Sequence, residues 1–141
     1  MILADVNVLL YAFRPDVLGH ARYATWLEAQ VNEGTPFGMS PQALAAVIRI
    51  ATNPRAFADP NPLAEVAEFA SSLLREPNCQ VIQPGPRHWD IFAELCRKAN
   101  ARGNLVQDAW FAALAIESGC EWITTDRDYA RFPGLRWRAP F

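Results

Sequence analysis

The sequence predicts an α/β domain whose central, mainly parallel β-sheet has four to five strands and is flanked by helices. Short apolar runs, each long enough for one strand, alternate with longer segments in which apolar residues recur every three or four positions, the spacing of one helix face. The chain has 141 residues, of which 51% are hydrophobic, and this suits one domain with a substantial core. We therefore expect a single domain over residues 1–141.

The amino-terminal part of the chain predicts a strand, two helices and a second strand. Residues 2–4 form an apolar run that ends at Asp5, and the apolar residues 8–11 continue it on helical neighbours. Residues 21–31 carry apolar positions at helical spacing. A breaker that contains Gly and Pro then precedes the extended segment 37–39. Asp5 is thus expected at the carboxyl end of the first strand.

Two proline-containing signals start the helices of the middle section. Ser40 and Pro41 combine a hydroxyl N-cap with a proline at the first helical position, and an apolar stripe follows them. Asn61 and Pro62 repeat this signal before another amphipathic helix. The short run 80–82 then predicts the third strand.

The carboxyl-terminal part predicts two more helices, a fourth strand and a last extended piece. Residues 91–99 have helical spacing and end before a glycine. A further helix is expected to start near Asp108 and to close at Gly119, a residue suited to a left-handed helix cap. Residues 121–124 follow as a strand, and residues 135–137 form the last extended segment.

The net charge gives no sign of a nucleic-acid partner. Thirteen Lys and Arg residues against fifteen Asp and Glu residues give a formal charge of −2, so the chain lacks the broad basic field typical of nucleic-acid-binding proteins. A net charge does not say where the carboxylates lie, however. Composition by itself therefore disfavours nucleic acid but leaves a local acidic site open.

The cysteines and the amino terminus indicate a reducing environment away from membranes. Cys79, Cys96 and Cys120 are widely spaced and form no Cys-x-x-Cys pair, so we expect reduced, buried thiols and no zinc or redox site. The amino terminus has no basic segment followed by a long apolar one, and no apolar run reaches transmembrane length. We expect a cytoplasmic protein with no membrane partner.

Three aspartates occupy positions that are unusual for surface acids. Asp5 and Asp126 each follow a predicted strand, so both should emerge at the carboxyl edge of the sheet, where α/β proteins place ligands. Asp108 shares a helical face with the apolar Phe111 and Ala112. Each also has a structural alternative: Asp5 could cap the following helix, Asp108 could be an acid at a helix start, and Asp126 could belong to an ordinary turn.

Considered together, the three aspartates favour a metal site. Carboxylates that converge without a cation repel one another and raise each other's pKa, an arrangement that does not serve stability. Oxygen ligands with room for water suit Mg²⁺ or Mn²⁺ better than zinc. Such a site can activate water and neutralise charge on a phosphate, so a phosphodiester is the substrate that these residues favour.

Four segments together carry a resemblance to a known family. They are residues 3–9 (LADVNVL), the helix that starts at Ser40 with residues 49–55 (RIATNPR), residues 103–109 (GNLVQDA) and residues 124–135 (TTDRDYARFPGL). Over nearly its whole length the sequence resembles the PIN-domain ribonucleases of the VapC toxin family. The resemblance implies a single PIN domain that cleaves RNA as an endoribonuclease.

The resemblance also implies the cofactor and partners of such an enzyme. A VapC protein is the toxin of a type II VapBC toxin–antitoxin system. The implied partners are a cognate VapB-like antitoxin that holds it inactive, a second copy in a homodimer, and an RNA substrate, for which structured RNA such as tRNA or rRNA is expected. By position, Asp5, Asp108 and Asp126 match the family's metal-binding acids, and the implied cofactor is Mg²⁺, with Mn²⁺ as the alternative.

One acid of the family pattern is absent. Members usually carry a glutamate six residues after the serine that starts the middle helix, and counting from Ser40 reaches Ala46. Asp128 is the nearest candidate to replace that acid. Two functions therefore stay open: a metal-dependent endoribonuclease, or a catalytically weak or inactive PIN-fold protein that binds RNA or antitoxin. A phosphotransferase of the haloacid-dehalogenase type is disfavoured, because its motif needs an acid at the position of Asn7.

Further polar residues are candidates for supporting roles at the site. Four of them could orient the aspartates, metal waters or substrate: Asn7, Ser40, Asn104 and Thr125. Three arginines could contact RNA phosphates: Arg49, Arg127 and Arg131. The structural alternatives are helix caps for the first two polar residues, a left-handed turn for the asparagine after Gly103, and solvated head groups for the arginines.

Overall fold

A five-stranded β-sheet forms the centre of the protein, in a computed structural model that describes all residues from 1 to 141. Its strands are β1 (Ile2–Ala4), β2 (Phe37–Met39), β3 (Cys79–Val81), β4 (Glu121–Ile123) and β5 (Trp137–Arg138). They lie in the order β3-β2-β1-β4-β5, and every neighbouring pair is parallel. The expected α/β class with a parallel sheet is confirmed.

Six α-helices flank the sheet and connect its strands. They are α1 (Val6–Phe13), α2 (His20–Asn32), α3 (Pro41–Ala51), α4 (Leu63–Arg75), α5 (His88–Ala99) and α6 (Asn104–Ser118). A 3₁₀ helix, Arg127–Arg131, follows β4. None of the helices has both the length and the apolar composition of a membrane-spanning segment. The alternation of strands and helices expected from the apolar periodicity is therefore present along the whole chain.

Local sequence signals explain where α3 begins and where α6 ends. Ser40 caps α3 as expected, because its hydroxyl accepts a hydrogen bond from the backbone N–H of Ala43 at 3.2 Å and Pro41 follows in the first turn. Gly119 ends α6 with a left-handed backbone, at φ 70°, which glycine adopts without a steric cost.

Asn61 has a different role from the expected helix cap. Pro62 occupies the N-cap of α4 without a side-chain hydrogen bond, and the amide oxygen of Asn61 accepts one from the guanidinium of Arg14 at 2.8 Å. Arg14 is buried and also donates to the carbonyl of Asp59 at 3.0 Å and to the carboxylate of Asp16 at 2.7 Å. These hydrogen bonds pair the buried guanidinium, whose charge would be costly to bury without partners.

α6 begins four residues before its expected start near Asp108. Gly103 stands at the N-cap with φ 58°, a value that favours glycine, and the helix runs from Asn104. Asp108 therefore lies in the second turn, and its interpretation as an acid at a helix start is wrong. Asn104 is helical, so the left-handed turn belongs to Gly103 instead. β5 likewise lies slightly beyond the expected segment 135–137.

The centre of the sheet brings the ends of two strands together. β1 lies between β2 and β4, with Leu3 aligned with Trp122 of β4. Nearly all side chains of these three strands are buried, as is usual for a parallel sheet covered on both faces. The backbone N–H of Asp5 donates to the carbonyl of Ile123 at 2.9 Å. This contact keeps Asp5 beside the end of β4, which leads into the turn that carries Asp126.

The three cysteines are free thiols, as their spacing indicates. Cys120 is buried, but Cys79 and Cys96 are only partly buried, so the expectation that all three are buried is wrong for these two. Desolvation nevertheless raises the pKa of both partly buried thiols above the usual value.

Candidate active site

A cleft of about 750 Å³ contains all three aspartates that the sequence singled out. Asp5 comes from the end of β1, Asp108 from α6 and Asp126 from the turn after β4. Helices α1 and α3 complete the wall, largely with apolar side chains. The structure thus gathers the three carboxyl groups into one cleft at the carboxyl edge of the sheet, the edge where α/β folds place ligands.

Asp5 is buried and held by two hydrogen bonds. Its Oδ1 accepts from the backbone N–H of Val6 at 2.7 Å, and its Oδ2 accepts from the hydroxyl of Thr124 at 2.6 Å. Asp5 also caps the amino terminus of α1, so it both caps a helix and lines the cleft. Burial raises the pKa of Asp5 to about 6, and the charges of Asp108 and Asp126 act in the same direction, against the two hydrogen bonds.

Thr124 connects the ends of β1 and β4 and was not singled out from the sequence. It is fully buried, donates its hydroxyl proton to Asp5, and accepts a hydrogen bond from the backbone N–H of Asp126 at 3.0 Å. Thr125, the threonine named as a candidate for this role, is exposed and forms no hydrogen bond with either aspartate. The orienting contact is therefore made by the last residue before the turn, one position earlier than expected.

Asp108 lies on the inner face of α6 and is half-buried. The hydroxyl of Tyr129 donates to its Oδ1 at 3.4 Å, a second contact that the sequence did not reveal. Desolvation raises the pKa of Asp108 to about 6, with a further increase from the charge of Asp126. Burial also raises the pKa of Tyr129 far above the usual value, so this hydroxyl stays protonated.

Asp126 combines its place in the cleft with turn chemistry. It caps the 3₁₀ helix by accepting a hydrogen bond from the backbone N–H of Asp128 at 2.9 Å. Asp128 itself is exposed and does not line the cleft. The turn alternative therefore describes Asp126 in part, and Asp128 contributes to the site mainly through its negative charge, which raises the pKa of Asp108.

Ala46 lines the cleft from α3, at the position where the resemblance predicts a glutamate. Its methyl group leaves Asp5, Asp108 and Asp126 as the only acids of the lining. Asp128 does not replace the missing acid, because its side chain is not part of the cleft wall. The site consequently has three carboxyl groups and a partly exposed apolar position at Ala46.

Two of the four polar supporting candidates line the cleft. Asn7 and Asn104 do so, together with Gln107, which the sequence did not single out because amides occur on many helix surfaces. The Oδ1 atom of Asn7 is buried and has no hydrogen-bond donor in the protein, so this acceptor is unused. Ser40 is buried but lies outside the lining, and the cap of α3 is the role that the structure shows.

The three candidate arginines differ in their position relative to the cleft. Arg49 lines it, with an exposed side chain that forms no ion pair. Arg127 and Arg131 are exposed on the 3₁₀ helix directly after Asp126 and do not line the cleft. All three guanidinium groups are therefore free of carboxylate partners, and Arg49 is the one within the site.

The donors in the cleft fit a hard divalent cation. Its lining offers carboxylate and amide oxygens and neither thiol nor imidazole groups. The raised pKa of Asp5 and of Asp108 marks a cost of burial and mutual charge that a cation would relieve. No group of three His, Cys, Asp or Glu side chains is arranged so that it could hold a metal ion unaided. Mg²⁺ commonly binds through one or two carboxylates and keeps several waters, and the cleft suits that mode.

Replacing Asp108 with asparagine is expected to stabilise the metal-free protein at pH 8. The folded-state pKa of about 6 lies above the ordinary 3.8, so ionisation costs stability as the pH rises from about 4 through 6. The full shift corresponds to about 3 kcal/mol, which screening at a half-exposed site reduces to about 1 kcal/mol. Urea unfolding midpoints measured in the presence of a chelator should be higher for the variant than for the wild type at pH 8 and equal at pH 4. Equal midpoints at pH 8 would contradict this origin of the shift, and Asp90→Asn on the exposed surface of α5 is the matched control.

Comparison with known proteins places the whole chain in one group of sequences. The model of the PIN domain family matches residues 2–135. The chain is 41% identical to the ribonuclease VapC43 of Mycobacterium tuberculosis over 140 residues, which cover 99% of this chain and 95% of that protein. It is 37% identical to the ribonuclease VapC31 of the same species, again over 140 residues and 99% of both chains.

Solved structures agree on the fold. The VapBC2 complex of Rickettsia felis, bound to a DNA fragment from its promoter, contains a chain that matches with a TM-score of 0.71 and 17% identity, over 99% of this chain and 98% of that one. VapBC-1 of nontypeable Haemophilus influenzae matches with a TM-score of 0.68 and 19% identity, over the same shares of the two chains. At such identities the likeness concerns the fold.

Proposed function

The chain belongs to the VapC ribonuclease family of PIN-domain proteins, and we propose that it is a Mg²⁺-dependent endoribonuclease, the toxin of a VapBC-type toxin–antitoxin system. The observation that carries the proposal is the cleft in which Asp5, Asp108 and Asp126 meet at the carboxyl edge of the sheet. The cleft holds hard oxygen donors whose negative charge a divalent cation would balance. A metal site of this kind suits a phosphodiester substrate, and the relatives of this chain are named ribonucleases, so RNA is the proposed substrate.

The residues of the cleft divide the work of binding and orientation. Both carboxylate oxygens of Asp5 are fixed, one by the N–H of Val6 and the other by Thr124, so this acid presents a defined geometry. Asp108 and Asp126 enter from two further elements and would complete the protein's share of the ligands. When bound, Mg²⁺ supplies a Lewis acid that activates water and neutralises charge developing on the phosphate.

RNA affinity depends on local charge. With the three cleft aspartates set aside, thirteen basic residues face twelve acids, so the rest of the chain is formally +1 and offers little long-range attraction. Arg49 lies in the cleft without a carboxylate partner, where its guanidinium can bind a phosphate next to the scissile one. Arg127 and Arg131 would contact phosphates outside the cleft. RNA binding is therefore expected to depend more strongly on the metal than it does in a broadly basic protein.

A VapB-like antitoxin and a second copy of the chain are the proposed protein partners. The similar solved structures are described as VapBC complexes, in which the toxin is accompanied by its antitoxin. The cleft offers such a partner three carboxyl groups beside a largely apolar wall, a surface that suits an amphipathic segment with a basic side chain. Co-expression with a small DNA-binding protein encoded beside the gene should then relieve growth inhibition.

Cleavage of RNA by the purified protein tests the proposed activity. We expect tRNA or rRNA to be cut at defined sites with Mg²⁺ or Mn²⁺, cutting to cease with EDTA, and activity to return when metal is added back. Cleavage that persists in EDTA would contradict the metal dependence.

A second candidate function is supported by Ala46. An alanine where related proteins are expected to carry a glutamate removes one acid from a cleft in which no three acidic side chains form a ready-made metal site. The corresponding protein would bind RNA or antitoxin with weak or no catalysis. Absence of cleavage with all RNA and metal combinations would favour it.

A further inference from the structure

Tyr129 joins two elements that carry different acids of the cleft. It lies in the 3₁₀ helix three residues after Asp126, and its hydroxyl reaches across to Oδ1 of Asp108 on α6 at 3.4 Å. Its backbone N–H also contacts the carbonyl of Asp126 at 3.4 Å. Tyr129 therefore touches one acid through its side chain and another through its backbone.

The ring of Tyr129 has little freedom to move. Only 1% of the residue is exposed, and the ring packs against Trp122 at 5.5 Å and against Phe132 at 5.9 Å between centroids. Trp122 in turn stacks on Phe111 of α6 at 5.4 Å. Because this aromatic cluster fixes the ring, the hydroxyl has a fixed position at the edge of the cleft.

The hydroxyl can influence only the acid that it reaches. A carboxylate accepts hydrogen bonds and cannot donate them, so Tyr129 must be the donor and Asp108 the acceptor. The bond occupies one oxygen of Asp108 and limits rotation of the carboxyl group. Contacts of this kind orient metal-binding carboxylates, and their removal typically weakens metal affinity by about 10- to 100-fold.

We propose that Tyr129 is a positioning residue for the metal site: its buried hydroxyl holds Asp108 in the orientation that binds the cation and ties α6 to the turn of Asp126. The inference rests on the proposed function and concerns a residue that does not itself touch metal or substrate. Thr124 has the equivalent effect on Asp5. Asp5 and Asp108 are therefore each held by a hydroxyl from the segment that follows β4.

Tyr129→Phe tests the proposal because it keeps the ring and removes only the hydroxyl. We expect Mn²⁺ binding, measured by calorimetry, to weaken about 10-fold, kcat for RNA cleavage to fall, and KM for RNA to stay within about twofold. Tyr23→Phe is the matched control: Tyr23 does not line the cleft, its ring packs against Tyr11 and Phe141, and we expect the loss of its hydroxyl to leave Mn²⁺ binding unchanged.

A double-mutant cycle separates positioning from general packing. If Tyr129 acts through Asp108, Tyr129→Phe should have no further effect on Mn²⁺ binding in an Asp108→Asn background. The proposal would be overturned if Tyr129→Phe lowered Mn²⁺ affinity equally in both backgrounds, or if Tyr129→Phe alone kept the wild-type affinity. A wild-type protein that binds no Mn²⁺ would also overturn it. A wild type that binds Mn²⁺ more tightly than Tyr129→Phe yet cuts no RNA would refute the proposed function and leave the positioning role supported.

Discussion

Asp5→Asn is expected to abolish RNA cleavage and, in cells, growth inhibition, while the protein stays folded. Asp5 is the most deeply buried of the three acids, and both of its oxygens are already oriented by Val6 and Thr124. The amide removes the negative charge that a cation needs at this position. We expect a loss of roughly a thousandfold in cleavage rate, which corresponds to about 4 kcal/mol of transition-state stabilisation.

The local hydrogen bonds explain why the fold should survive this substitution. The asparagine oxygen can accept from the N–H of Val6, and its NH₂ group can donate to the hydroxyl of Thr124. The neutral side chain also avoids the ionisation that burial makes costly at this position. Circular dichroism and a thermal midpoint verify folding, and Asp90→Asn serves as the exposed control. A folded Asp5→Asn protein with full activity would refute the assignment.

The fold could be predicted largely from the sequence because its signals are local. Apolar runs and helical periodicity depend on near neighbours, and the cap at Ser40 and the glycine at position 119 act within one turn. The sequence alone misplaces the start of α6, because Asp108 is typical of an acid in the first turn of a helix, whereas the helix begins after Gly103. The role of Asn61 cannot be predicted from its neighbours, because its partner, Arg14, lies 47 positions away in the chain.

The acids of the candidate site could be predicted from the sequence, but the hydroxyl groups that hold them could not. Asp5 and Asp126 follow strands, so topology alone puts them at one edge of the sheet. The hydroxyl contacts span 119 and 21 positions of the chain, from Thr124 to Asp5 and from Tyr129 to Asp108. Such partners depend on strand order and side-chain direction, and neither can be obtained from spacing along one chain.

Ala46→Glu is expected to strengthen metal binding and raise cleavage. Ala46 lines the cleft on α3 and is partly exposed, so a longer side chain can enter the cleft without displacing the core. A fourth carboxylate adds a hard oxygen ligand to a cleft in which no three acidic side chains form a ready-made metal site. We expect Mn²⁺ affinity to rise about 10-fold or more, and the metal-free protein to become less stable at pH 8, because the added charge repels Asp5, Asp108 and Asp126.

Ala46→Gln separates the effect of charge from that of size. Glutamine has nearly the same shape as glutamate but lacks the charge, so it should leave metal affinity and the pH dependence of stability close to those of the wild type. If the wild type cleaves RNA and Ala46→Glu cleaves it faster, the three aspartates suffice for catalysis and the absent acid sets its rate. If cleavage occurs only in Ala46→Glu, the native cleft binds without useful catalysis, and the second candidate function is correct. A glutamate variant with unchanged metal affinity would show instead that α3 holds position 46 too far from the ion to matter.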